Sequence, residues 1–214
     1  MSESDRLRED ICTIAKSLFD RGLTCGASGN LSARLSDGSL LVTPTGSALG
    51  FLSPGQISHL DRNGQLLSGD PPTKEMPLHT AFYETRSGTG AVVHLHSTYS
   101  VAVSMLPDTD PDHVLPPLTP YSIMRVGKVK LLPFFLPGDP AMGDAVRALD
   151  GKRAAVLLAN HGPVVAGKDI WAAAFAMEEL EETAKLAMLT KGLSPKALSE
   201  EDVRSVVRAF NVAS

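Results

Sequence analysis

Helical and strand-like hydrophobic patterning alternate along the whole chain. From Arg6 to Phe19 the apolar residues Leu7, Ile11, Ile14, Ala15, Leu18 and Phe19 recur at the spacing of one helix face, and Gly22 supplies a stop. Short β-like pieces follow: NLSARL, SLLVT, QISHLD and QLLSG. The last two flank Asn63-Gly64, a strong hairpin signal. KEMPLHTAFYETR then reads as a helix with Pro77 tolerated in its first turn. AVVHLH is a buried strand and STYSVAVSML a short helix after it. Pro107, Pro111, Pro116, Pro117 and Pro120 make positions 107–127 an irregular loop. VKLLPFF is another strand, DPAMGDAVRAL another helix, and AAVLLAN a strand running into Asn160-His161-Gly162. Asp169 is placed to cap a long amphipathic helix reaching about Thr190. SEEDVRSVVRAF closes the chain, with Ser199 and Asp202 making a cap-like start. The expected class is mixed α/β, a central sheet covered by helices.

At 214 residues the chain fits a single domain, 1–214, with a substantial core. Hydrophobic residues make up 43% and charged residues 21%, an ordinary globular balance that adds nothing to the picture. The formal charge of −4 does change it: neither a nucleic-acid nor a membrane partner is expected, and an anionic substrate must be captured locally. Two cysteines, Cys12 and Cys25, do not make a disulfide framework. No apolar run approaches a membrane span and MSESDRLRED is not signal-like, so a cytoplasmic location is expected.

Three groups of residues carry candidate chemistry. His94 and His96 alternate in a strand and project side by side. With His161, in a turn at the end of another apolar strand, they supply three imidazoles, the number a catalytic zinc commonly takes. By spacing alone they read equally well as satisfied core histidines. His59 and His113 read as structural or solvated. Glu75 opens a helix whose partial positive charge favours a carboxylate, and His79 lies four residues on, either orienting it or packing. Beside a metal, Glu75 becomes a fourth ligand or a proton-transfer group. KEMPLH lacks the first histidine of the metalloprotease helix. The turns GASGNLS, TPTG and Thr73-Lys74 are rich in glycine, hydroxyls and amides, as anion nests are, without matching a Walker loop or a dinucleotide fingerprint.

GASGNLS, VTPTG, TKEMPLH, VVHLHS and ANHGPVVAG occur together and in order, and on them the chain resembles the class II aldolase/adducin family from about Arg6 to Phe210. The resemblance implies a three-layer α/β/α domain with a central mixed sheet, assembled as a homotetramer with active sites at subunit interfaces. It implies one Zn2+ per subunit on His94, His96 and His161, with Glu75 as resting-state ligand and acid/base. Gly29, Asn30, Thr45, Gly46, Thr73 and Lys74 fall on the family's phosphate pocket, which carries two serines at the Thr73-Lys74 position. Tyr121 falls near a tyrosine that a neighbouring subunit supplies as proton donor. KEMPLH, HLHSTYSVAVSML, LTPYSIMRVG and PGDP look most like members that decarboxylate 3-oxo-tetronate 4-phosphate through a metal-stabilised enediolate. A sugar-phosphate aldolase of the L-fuculose-phosphate type is the alternative, and a dehydratase shares the same residues. A non-enzymatic assembly domain would carry an eroded metal site, whereas all four residues are present here.

Overall fold

The computed structural model describes residues 1–212. Its strands are β1 (Asn30–Arg34), β2 (Leu40–Val42), β3 (Ser58–Leu60), β4 (Leu66–Ser68), β5 (Ala91–His94), β6 (Val129–Leu132), β7 (Ala155–Leu158) and β8 (Gly162–Gly167). They form one sheet in the order β4-β3-β2-β1-β5-β8-β7-β6, antiparallel throughout except for the parallel β6–β7 pair. The helices are α1 (Glu3–Asp20), α2 (Met76–Thr85), α3 (Thr98–Ser104), α4 (Pro120–Arg125), α5 (Ala141–Arg147), α6 (Ile170–Leu189) and α7 (Glu200–Phe210).

The two-residue period of the strands builds the layers. Ala91 and Val93 of β5, Ala155 and Leu157 of β7 and Val165 of β8 pack with Leu18 of α1 and Met177 and Leu180 of α6. Their neighbours Val92, Val156, Leu158 and Val164 pack instead with Leu78 and Phe82 of α2 and Met142 and Val146 of α5. The result is the expected α/β/α arrangement on a mixed sheet. Burying both faces explains why β5 and β7 read as unbroken apolar runs.

Most expected elements form. Asp169 caps α6, its side chain accepting from the Ala172 amide at 2.7 Å. Ser199 and Asp202 close a capping box on α7. The Asn63-Gly64 region turns β3 into β4, with the Asp61 carboxylate holding the Asn63 and Gln65 amides. Cys12 and Cys25 are unpaired. Among the described residues no helix is long and apolar enough to cross a membrane.

Three differences have physical causes. Helix α1 starts at Glu3 rather than Arg6, because Ser2 and Asp5 form a capping box ahead of the apolar stripe. The proline-rich stretch contains α4: Thr119 accepts from the Ser122 amide, and Pro120 occupies the first turn, where a missing N–H does no harm. GPVVAG carried no strand expectation, yet it is β8, between β5 and β7. Its Pro163 is the second residue of the strand, and its carbonyl still accepts from the Leu95 amide at 3.2 Å.

Candidate active site

The site forms on the sheet face covered by α2, where three connections converge. His94 ends β5, directly opposite Asn30 of β1 on one side and Val164 of β8 on the other. His96 follows two residues later. Strands β7 and β8 join through Ala159, Asn160 and His161, closed by the Leu158–Gly162 pair. Asn160 takes the left-handed conformation (φ 57°) that asparagine tolerates well. Gly162 has no substitute there, since a Cβ would lie 2.2 Å from the Leu95 carbonyl oxygen. This close approach carries His161 to the end of β5.

The three imidazoles of His94, His96 and His161 meet, each offering one nitrogen within 4.8 Å of the others. The Nε2 atoms of His96 and His161 are 3.0 Å apart. Glu75 Oε2 lies 3.4 Å from His94 Nε2, and Oε1 3.4 Å from His161 Nε2. His94 is fully buried; its Nδ1–H donates to the Pro163 carbonyl at 2.9 Å, while its Nε2 has no hydrogen-bond partner. A buried, partnerless nitrogen is costly in a native protein. A cation shared with the neighbouring imidazoles satisfies it, and the donor set, nitrogens plus a carboxylate, is one a divalent transition metal takes.

Electrostatics keep these imidazoles in the neutral form a metal requires. Burial pushes His94 well below the ordinary value of 6.5, and the adjacent His161 and His96 push it further. His96 is lowered by burial and then by His161, against the pull of Glu75. For His161 burial again outweighs Glu75.

Glu75 stands at the N-terminus of α2 but makes no side-chain cap. Its Oε2 accepts instead from Asn30 Nδ2 at 2.7 Å, and Asn30 Oδ1 is 2.5 Å from His79 Nε2. His79 therefore reaches Glu75 through Asn30, not directly. Ser32 and Tyr83 continue these contacts; in the sequence Ser32 reads only as part of the GASGNLS turn and Tyr83 carries no role, the available signal being the i, i+4, i+8 spacing of Glu75, His79 and Tyr83.

Gly29, Asn30, Thr45, Gly46, Thr73 and Lys74 all line one cleft of about 190 Å³, together with Glu75, His96 and His161. The amides of Thr45 and Thr73 are engaged by the Pro71 and Thr43 carbonyls, so these residues offer a ligand their hydroxyls. Thr73 Oγ1 accepts from the Glu75 amide at 3.3 Å and keeps its proton to donate. The side chain of Asn30 is engaged at both ends and is not available to an anion. Tyr121 is exposed on α4 and is not among the residues lining the cleft. His59 bonds Ser39 and His113 pairs with Asp110, and neither joins the cluster of His94, His96 and His161. A larger, mainly apolar hollow of about 540 Å³ between α4 and α7 contains none of the three clustered histidines.

The fold has known counterparts. Residues 9–188 match the model of the Class II Aldolase and Adducin N-terminal domain. A protein of Haemophilus influenzae named 3-oxo-tetronate 4-phosphate decarboxylase is 47% identical over 201 residues, covering 93% of this chain and 95% of that one. An L-fuculose phosphate aldolase of Methanococcus maripaludis is 37% identical over 181 residues, 84% of this chain and 95% of that one. The crystal structure of Escherichia coli YgbL, whose description leaves open aldolase, epimerase or decarboxylase, superposes with a TM-score of 0.93 at 44% identity, covering 96% of this chain and 99% of that one. Matched along most of its length by sequence and by structure, the chain belongs to the class II aldolase and adducin family.

Proposed function

We propose that this chain is a metal-dependent carbon–carbon lyase that converts 3-oxo-tetronate 4-phosphate to dihydroxyacetone phosphate and carbon dioxide. The observation that carries the reading is the buried, partnerless Nε2 of His94, facing His96, His161 and Glu75 at the floor of a cleft edged by glycine, hydroxyls and Lys74. The higher identity to a relative named for this decarboxylation than to one named for fuculose-phosphate cleavage favours loss of carbon dioxide over loss of an aldehyde. The whole of 1–214 acts as one such domain, in the cytoplasm, in sugar-acid breakdown.

In this reading His94, His96 and His161 would hold the metal, with Glu75 as the fourth ligand of the resting site and the acid/base of the reaction. Three neutral imidazoles with a displaceable position suit one Zn2+ per subunit. When bound, the ion supplies Lewis-acid stabilisation for the negative charge left as the C1–C2 bond breaks and its electron pair moves toward the C3 oxygen. Thr45, Gly46, Thr73 and Lys74, with the Gly29-Asn30 backbone, hold the phosphate and so fix the position of that bond. Glu75 delivers the proton that C2 then takes up, replenished from solvent through the cleft. Homotetramer assembly brings Tyr121 of a neighbouring copy to the site as a second proton donor. Support for a partner surface comes from Phe134 and Leu136, both exposed beside cleft-lining Pro137.

The deciding assay measures dihydroxyacetone phosphate released from 3-oxo-tetronate 4-phosphate, with L-fuculose 1-phosphate in parallel and a chelated control. Release from the keto acid, abolished by chelation and restored by Zn2+, is expected. Release from the ketose phosphate alone would make the protein an aldolase with the same site.

A further inference from the structure

Five buried polar side chains interleave between β1 and α2. From the helix come Glu75, His79 and Tyr83, one turn apart; from the strand come Asn30 and Ser32, on the same face. Four helical residues rise about 6.0 Å and two strand residues about 6.7 Å, so the two rows stay in step. The order is Glu75–Asn30–His79–Ser32–Tyr83, with successive contacts of 2.7, 2.5, 2.7 and 2.9 Å. His79 and Ser32 are fully buried, and Asn30, Glu75 and Tyr83 nearly so.

The inventory of donors and acceptors fixes the direction of every bond. Asn30 donates through Nδ2 to Glu75, so its Oδ1 accepts and His79 Nε2 must carry the proton. Burial keeps His79 neutral, with its value pushed down to about 3, which leaves Nδ1 as the acceptor. Ser32 Oγ–H then donates to Nδ1, and the Tyr83 hydroxyl donates to Ser32 Oγ. Arg34 anchors the far end, stacked 4.5 Å from the Tyr83 ring centre and donating to the Tyr83 carbonyl. Each donor points along the chain toward one carboxylate, and such chains polarise cooperatively.

We infer that Tyr83, Ser32, His79 and Asn30 are positioning residues, a one-way hydrogen-bond chain that fixes the Glu75 carboxylate against the three histidines. Resting on the proposed lyase site, this makes turnover and divalent-ion affinity depend on two hydroxyls that lie outside the cleft. Without the Ser32 donor, His79 is free to move its proton to Nδ1. Two acceptors would then face each other at Asn30, the amide would turn over, and Glu75 would lose its donor.

The test compares Ser32→Ala, Tyr83→Phe and the double variant in full-length protein. It reads thermal melting, kcat and KM, and Zn2+ affinity by competition with a chromogenic chelator. Ser32→Ala is expected to lower both kcat and ion affinity by about 10- to 100-fold, with KM within about threefold. Tyr83→Phe acts in the same direction and more weakly. Because Tyr83 works only through Ser32, the double variant is expected to be no worse than Ser32→Ala. Multiplying effects, or lower melting with native kcat and ion affinity, would overturn the chain and leave a packing role. Should the unaltered protein be inert on the keto acid, the lyase reading falls while the ion affinities still decide this inference.

Discussion

His94 Nδ1 sits 2.9 Å from the carbonyl of Pro163, a residue that itself has no N–H to give the sheet. The bond fixes which ring nitrogen of His94 carries the proton and turns the bare Nε2 toward His96, His161 and Glu75. A backbone carbonyl in the middle of a sheet is a rigid orienting partner, the kind that metal-ligating histidines commonly have. That nitrogen is the one a bound cation would satisfy.

Removing a bound ion is therefore expected to cost stability. An ion present at one hundred times its dissociation constant contributes about 2.7 kcal/mol. For a chain of this size that is about 5–10 °C in melting temperature. Calorimetry with chelator and then with added Zn2+ checks it. A melting temperature indifferent to both would mean that the cluster holds no ion.

Acid should weaken the ion-free protein in a defined window. His94, His96 and His161 all lie below 6.5 in the folded chain, and His79 at about 3, chiefly through burial. Around His79, His94 adds to the lowering and Glu75 opposes it. Below pH 6.5 the unfolded chain takes up protons that the folded chain refuses, so stability falls as pH drops from 6.5 toward 3. His79 alone accounts for on the order of 2 kcal/mol by pH 5. Urea midpoints at pH 7 and pH 5 measure the slope, which His79→Leu should flatten. A slope unchanged by that substitution would contradict the neutral, buried state of His79.

Much of this site was legible in the chain. His94 and His96 announce a shared face by alternation, and His161 stands out because an apolar run stops at Asn160-His161-Gly162. What was not legible depends on pairing across distance. Asn30 reads as a phosphate-pocket residue and Ser32 as part of the GASGNLS turn; their contacts with His79 and Tyr83 emerge only when β1 is laid under α2, about fifty residues away in sequence. GPVVAG carried no strand expectation although the Pro163 carbonyl of β8 orients His94, since local propensity says nothing about neighbours on both sides. Pro120 likewise read as loop, although at a first helical turn proline is favourable.

Lys74 is exposed in the cleft and is the cationic side chain among its lining residues, the lining imidazoles of His96 and His161 being held neutral by burial. Hydrogen bonds to charged groups contribute about 1.5–3 kcal/mol. Lys74→Gln should therefore raise KM for the phosphorylated keto acid by about 10- to 100-fold and lower kcat less. Steady-state kinetics separate the two parameters. A fall in kcat at native KM would assign Lys74 to the reacting end of the substrate instead.

Glu75→Gln tests the proton-transfer role most directly. The replacement amide keeps an oxygen for Asn30 Nδ2 and nearly the same volume, so the packing of α2 on β1 survives. It carries no transferable proton at neutral pH, and general acid–base catalysis contributes about 10²–10⁴ in rate. Turnover is expected to fall by at least that factor, with far-ultraviolet circular dichroism unchanged and melting within a few degrees. Near-native turnover would move the proton transfer elsewhere, with the Tyr121 hydroxyl, proposed to come from a neighbouring copy, the next group to remove.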